Sequence, residues 1–419
     1  MNNATNTNIF PYLERLLEGE AVEWKTLGEV CDYIRGITYN KSAETTEVDG
    51  WKVLRANNIT LETRKLNFNE VKHVKKTIRV RENQMLHKGD ILICAGSGSK
   101  EHIGKTAYIE SDIDYTFGGF MGVLRLKEEK TISSRYLFHY IGSGAFTKYL
   151  GATLKSSTIN NLNNGIIAPF TIPIPSLRVQ ARIVEILDKF TQLEAELEAE
   201  LEARKKQYAY YRDQLLNFSQ CPPLNVNIEW KTLGEVAEYV RQRVAVNQLC
   251  AQTYVGVDNL LPNRAGKQDS NYLPTEGNAI AYQPNDILIG NIRPYLKKIW
   301  KADNEGGASA DVLVVRITNS LLTPGYLYHL LADDCFFSYD MQHAKGAKMP
   351  RGNKEKILDY VLPIPPLSEQ RRIVDILDRF DTLTNSISEG LPKEIALRRK
   401  QYEYYRDALL NFPRAEVTA

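Results

Sequence analysis

The chain is poor in the features that mark most enzymes and most secreted or membrane proteins. Its five cysteines (Cys31, Cys94, Cys221, Cys250 and Cys335) form no C-x-x-C pair. That argues against a zinc site or a disulfide framework and fits a reducing cytoplasm. No apolar run exceeds six residues, far short of a membrane span. The start, MNNATNTNIFPYLERLL, has no basic segment followed by an apolar stretch, so no secretion signal is expected. Six histidines make no H-E-x-x-H, and there is no G-x-S-x-G elbow. A Gly-rich methyl-donor loop and the Asn-Pro-Pro-aromatic motif of adenine methyltransferases are also missing. The net charge is only +2 in 419 residues. Any nucleic-acid contact must therefore come from local basic patches.

What the chain does have is an internal repeat spanning most of its length. The octet EWKTLGEV occurs at Glu23–Val30 and again at Glu229–Val236. Pro173–Phe190 and Pro363–Phe380 match at 12 of 18 positions, and Arg204–Phe218 and Arg398–Phe412 at 12 of 15. Each repeat carries a buried-strand signal, GDILIC at Gly89–Cys94 and NDILIG at Asn285–Gly290. A polar loop, a second strand and a tyrosine-rich helix follow, and then a Pro-Ile-Pro start to a long helix. The expected fold is α+β: two irregular domains separated by two long, antiparallel, coiled-coil-like helices with a pseudo-two-fold repeat. Expected bounds are domain 1 at 1–172, helix 173–218, domain 2 at 219–362, helix 363–412 and a tail at 413–419.

Apolar residues at three- and four-residue steps mark a helix-pairing seam. In the first helix these are Ile183, Leu187, Phe190, Leu193, Leu197, Leu201 and Tyr208; in the second, Ile373, Leu377, Phe380, Leu383 and Tyr402. Between its matched ends the first helix holds LEAE-LEAE-LEAR, Leu193 to Arg204, whose glutamates are expected to face solvent. The second helix is expected to break at Ser388–Pro392.

Ser99–Thr106, SKEHIGKT, follows a strand and comes near a phosphate-binding loop, but serine stands where the first glycine is needed. Its counterpart, Asn291–Lys298, has no glycine. The loop therefore reads as part of a polar working surface; a nucleotide-binding hydrolase using it is the alternative.

Basic clusters lie where the repeats differ. They are Val71–Arg81 (Lys75 and Lys76 among them), Arg293–Lys301 and Lys345–Lys356. Lysine and arginine suit phosphate, while Arg, Asn, Gln, Ser and Thr suit base edges. The candidate DNA-binding residues in repeat one are Lys75, Lys76, Ser97, Ser99, Lys100, His102, Lys105, Ser156, Ser157, Asn160 and Asn161. In repeat two they are Asn291, Arg293, Tyr295, Lys297, Lys298, Lys345, Lys348, Arg351, Asn353 and Lys354.

The paired P-I-P-x-L-x-x-Q-x-R-I-V-x-I-L-D-x-F segments, the two QYxYYRDxLLNF ends, SEGLPKEIALRRKQYEYYRD at Ser388–Asp407 and the two xDILI strands resemble the specificity (S, HsdS) subunits of type I restriction–modification systems. The resemblance covers residues 11–412. It implies a non-catalytic subunit whose two target-recognition domains each read half of a split sequence in double-stranded DNA. It also implies helices that separate the domains and dock two methyltransferase (M) subunits, joined by restriction (R) subunits. S-adenosylmethionine is expected on M, ATP and Mg on R, and no cofactor or metal on this chain. A scaffold whose DNA reading has decayed is the remaining alternative. On this view each LEAE unit sets spacing: four helical residues add a net ~40° and ~6 Å, against ~34–36° and ~3.4 Å for a base pair.

Overall fold

The computed structural model describes residues 10–47, 49–97, 102–154, 161–218, 227–386 and 389–413. The chain forms two compact units, Met1–Glu196 with Ala396–Ala419, and Leu197–Ile395. The boundaries between them fall inside long helices, so each unit owns one globular domain and segments of helix from both repeats.

In the first unit a two-stranded ribbon pairs Glu23–Thr26 with Thr171–Ile174. A four-stranded sheet runs in the order Cys31–Arg35, Met121–Leu126, Ile91–Cys94 and Thr106–Tyr108. A five-stranded sheet adds Glu44–Thr45, Lys72–Val74, Trp51–Leu54, Ile113–Phe117 and Met85–Leu86 in that order. The second unit repeats the ribbon, Glu229–Thr232 with Val361–Ile364. Its first sheet also repeats, as Ala237–Tyr239, Val312–Ile317, Ile287–Gly290 and Ile299–Lys301. The other sheet has four strands instead of five.

The repeated motifs have physical causes within each unit. In EWKTLGEV, Thr26 and Glu29 form a capping box, with the Thr26 N–H donating to the Glu29 carboxylate at 2.5 Å; Thr232 and Glu235 do the same at 2.6 Å. In DILI, buried Asp90 takes both forks of Arg125 at 2.7 Å and the His87 N–H at 2.8 Å. Asp286 takes Arg316 at 2.8 and 2.6 Å and the Gln283 N–H at 2.8 Å. Such bidentate pairs tie neighbouring strands together with fixed geometry.

The matched glutamine of the Pro-Ile-Pro segment is fully buried in both copies. Gln180 accepts the Ser133 N–H (2.9 Å) and donates to the Thr131 and Pro175 carbonyls (both 2.8 Å). Gln370 repeats this with Thr323, Leu321 and Pro365. Tyr136 and Tyr326 each donate to the matched proline carbonyl, Pro173 or Pro363, at 3.1 Å.

The first long helix is continuous, Leu177–Leu216. The second is interrupted, a little earlier than expected: Leu367–Asn385 ends, and Gly390–Leu409, which already includes Gly390–Pro392, begins on Gly390 at φ +74. A β-carbon there would press on the Thr382 and Leu383 carbonyls, so the close approach calls for glycine. Pro392 lies in the first turn, where its missing N–H is harmless.

Ile183 and Leu187 do more than line a helix seam. They are completely buried in a core that holds Tyr136, Leu137 and Ile172 of their own domain. Ile373 and Leu377 likewise join Tyr326, Leu327 and Leu362. The apolar stripe faces the domain's tyrosine-rich helix, and the same cores also take in Leu409, Leu410 and Phe412 in the first unit and Tyr208 and Leu216 in the second, from the other long helix. Beyond them the helices do meet. Phe190 stacks with Tyr405, centroids 5.4 Å apart, and Glu194 pairs with Arg399, so these first-unit segments run antiparallel. Tyr402 reaches His139 at 3.1 Å. In the second unit Tyr208 stacks with Phe380 at 5.9 Å. Leu193, Leu197, Leu201 and Leu383 are half-buried. Glu194 corrects the expectation that every LEAE glutamate faces solvent, because Arg399 draws it inside. Further along, Glu200 pairs with Arg204 at 2.7 Å and Glu202 with Lys205 at 3.4 Å.

Candidate nucleic-acid interface

In domain 1, three segments converge at the end of strand Ile91–Cys94. The N–H groups of Ala95 and Gly96 donate to the Phe120 carbonyl at 2.8 and 3.0 Å, and the Leu162 N–H donates to Ala95 at 2.6 Å. A side chain at Gly96 would collide with the Asn161 amide oxygen and the Phe120 ring, so only glycine lets these two meet there. Phe120 is 67% exposed. Beside it lies a groove of about 540 Å³ lined by Arg35, Thr38, Arg55 and Asn57, and a polar cleft of about 740 Å³ lined by Arg35, Arg79 and Arg81. The sequence reading missed Arg35, Arg55 and Phe120. The signal that could have found Phe120 is the Gly118-Gly119-Phe120 turn, where an aromatic side chain is left without room to bury.

Domain 2 builds the same crossing with other residues. The Asn291 N–H donates to Asp311 at 2.9 Å and the Gly352 N–H to Asn291 at 3.0 Å. Thus Asn291, Asp311 and Arg351 stand where Ala95, Phe120 and Asn161 stand in domain 1. Arg293 and Lys297 hold left-handed φ values of 54 and 51 around the turn Pro294–Leu296. The Arg293 N–H donates to Pro350 at 2.7 Å, and the Asn263 N–H to Leu296 at 2.9 Å. Lys345 and Arg351 exchange both backbone bonds at 2.9 Å. A loop with two strained, hydrogen-bonded ends holds its side chains in place. Arg293, Tyr295, Lys345, Lys348, Arg351 and Lys354 are exposed, as is Lys75 in domain 1.

Other candidates serve the fold. Lys105 donates to the Ala56 carbonyl at 3.1 Å, and its counterpart Lys298 to Val257 at 2.7 Å. Each of these two lysines uses one of its three donors to tie the post-strand loop to the rest of the domain. Lys297 pairs with Asp334 at 2.8 Å. Lys76 lies 3.4 Å from the Trp51 ring centre, a cation–π contact. Asn291 is buried, and Asn353 caps the helix Lys354–Leu358. Ser97, His102 and Asn161 are half-buried. Ser99, Lys100, Ser156, Ser157 and Asn160 lie outside the described residues.

Behind the Arg351 hairpin, Asp340 is 1% exposed, and neither carboxylate oxygen has a hydrogen-bond partner among the described residues. Burial pushes its pKa up to about 6, with His343 opposing. Among the described residues no three His, Cys, Asp or Glu side chains cluster as metal ligands, and no helix is long and apolar enough to cross a membrane.

The family model described as the type I restriction modification DNA specificity domain matches residues 20–203 and again 225–397. The chain belongs to the specificity subunits of type I restriction–modification systems. It is 31% identical to the Escherichia coli EcoR124I/EcoR124II specificity subunit, over 97% of this chain and 98% of that one. Two solved structures share the fold. One is a chain from a study of assembly and conformational transition of the type I R-M system, with TM-score 0.58, 16% identity, and 94% and 98% of the two chains covered. The other is the S subunit from M. genitalium, with TM-score 0.53, 15% identity and the same coverage. As a specificity subunit the chain is the non-catalytic member of its system, and the twofold match to one domain model agrees with the two copies of the ribbon, first sheet and docked helix.

Proposed function

We propose that this chain reads a bipartite DNA target, one domain per half-site, and docks two methyltransferase subunits on its helices. The observation that carries the reading is the contrast between scaffold and tip. The two domains repeat the same buried contacts at Asp90 and Asp286, Gln180 and Gln370, and Tyr136 and Tyr326. At the crossing they differ at these three side chains: Ala95, Phe120 and Asn161 against Asn291, Asp311 and Arg351. One scaffold with two different tips suits two different half-sites. Exposed lysines and arginines around the tips suit the phosphate backbone.

The same argument, applied to the helices, supports a partner that binds twice. Tyr210 and Tyr404, in the repeated QYxYYRD motif, each meet the edge of the next tyrosine and are otherwise in solvent, 62% and 64% exposed. Large exposed tyrosines at equivalent places fit anchors for two copies of one protein partner. The chain would act in the cytoplasm, with S-adenosylmethionine bound by M and with ATP and Mg used by R.

Binding of the chain, assembled with its M subunit, to duplexes at several salt concentrations tests the reading. Affinity should fall steeply with salt for all duplexes and remain orders of magnitude higher for one bipartite sequence. Equal affinity for every duplex would contradict it.

A further inference from the structure

The crossing in domain 2 holds a cation and an anion side by side at its tip. The Arg351 Nη2 group donates to Asp311 Oδ1 at 3.4 Å, with both side chains about half exposed. Among the described residues this is the only polar contact of the Arg351 guanidinium. Backbone bonds fix both residues: Arg351 is bridged to Lys345 and to Ile292, and the Asp311 carbonyl takes the Asn291 N–H.

This pairing is poorly suited to phosphate. A carboxylate beside the guanidinium repels a phosphate and offsets the arginine's charge. Lys345 and Lys348, exposed nearby in sequence, serve that purpose better because they are point charges with no ion-pair partner among the described residues. A fixed fork beside a fixed acceptor suits a base pair. Guanine shows two acceptors, O6 and N7, in the major groove, and cytosine shows the N4 donor. Arginine donates to the first and a carboxylate accepts from the second. An A·T pair would set the adenine N6 donor against the guanidinium and the thymine O4 acceptor against the carboxylate.

We propose that Arg351 and Asp311 together read one G·C base pair in the half-site bound by domain 2, with Arg351 on guanine and Asp311 on cytosine. This rests on the reading that the chain recognises DNA. The device belongs to domain 2 alone. At the equivalent places domain 1 has Asn161 and Phe120, an amide and an apolar ring, so its half-site is an internal control.

The test is sequencing of methylated adenines in cells carrying the full chain with its M subunit, in wild type, Arg351→Lys and Asp311→Asn forms. Arg351→Lys keeps the positive charge and removes the bidentate fork. It should relax one G·C position in the domain 2 half-site, with discrimination at that position reduced about 5- to 150-fold. Asp311→Asn should relax the same position, and the domain 1 half-site should be unchanged in both. An Arg351→Lys target identical to wild type overturns the proposal, as does uniform weakening without relaxation. If wild type methylates a defined bipartite sequence and the variants methylate that same sequence with no position relaxed, the proposal alone fails. If wild type shows no defined sequence, the DNA-reading function fails with it.

Discussion

His139 Nε2 lies 2.8 Å from the Asp188 carboxylate, joining a fully buried domain residue to the long helix that follows it. The pair recurs at His329 and Asp378, 2.7 Å apart, with the same separation of 49 residues. Burial pushes the His139 pKa down to about 4, even though Asp188 opposes the shift, and it lowers His329 as well. The unfolded value is about 6.5. Between these values the unfolded chain binds more protons, so the stabilisation is complete above about pH 6.5 and is lost as pH falls towards 4. Thermal unfolding from pH 7.5 to 4.5 should show the loss, on the order of 3 kcal/mol from His139. His139→Gln should flatten the profile; an unchanged slope would contradict this.

Asp340 should act in the opposite direction. Its folded pKa, about 6, lies above the unfolded value. The native state binds more protons in that window, so stability falls as pH rises through it and stays reduced above. Asp340→Asn should therefore stabilise the chain at pH 8, by on the order of 2 kcal/mol, and have little effect near pH 4. Equal melting temperatures at pH 8 would count against a buried, unpartnered carboxylate.

These contacts show what was legible in the sequence and what was not. Periodicity and matched segments disclosed the two domains, the continuous first helix and the break near Gly390. They could not show why Gln180, His139 and Asp188 are repeated. Such residues pair over 47 to 49 positions, and no local pattern announces a contact across that distance. The domain's share of the seam was hidden for a related reason: the Ile183–Leu187 stripe looks the same whether a helix or a domain lies against it. At the tips, residue type marked Lys105 and Lys298 as DNA-binding candidates, but only backbone geometry shows that each ammonium also bonds a carbonyl of its own domain. Phe120 and Asp311 drew no notice because an exposed phenylalanine and a lone aspartate carry no motif.

Deleting Leu197–Glu200 removes one LEAE unit and leaves the Glu194–Arg399 pair intact. The helix shortens by about 6 Å and its far end turns by a net ~40°, close to the ~34–36° of one base pair. The unspecified spacer in the methylated sequence should shorten by one base pair. An unchanged spacer would remove the spacing role of this array.

Tyr210→Ala and Tyr404→Ala should leave the melting temperature near wild type, because both rings are mainly in solvent. Each should weaken one M subunit by about 30-fold or more if it is an anchor. Native mass spectrometry should then show complexes with one M for either single variant and free chain for the double. Full assembly of the double variant would show that the docking surface lies elsewhere.

Single-molecule sequencing of methylated adenines in a host carrying this chain and its M subunit tests the central claim most directly. The account predicts one split motif: two dissimilar specified halves, an unspecified spacer of fixed length, and a methylated adenine in each half. A continuous motif, two identical halves or methylation without a motif would contradict it.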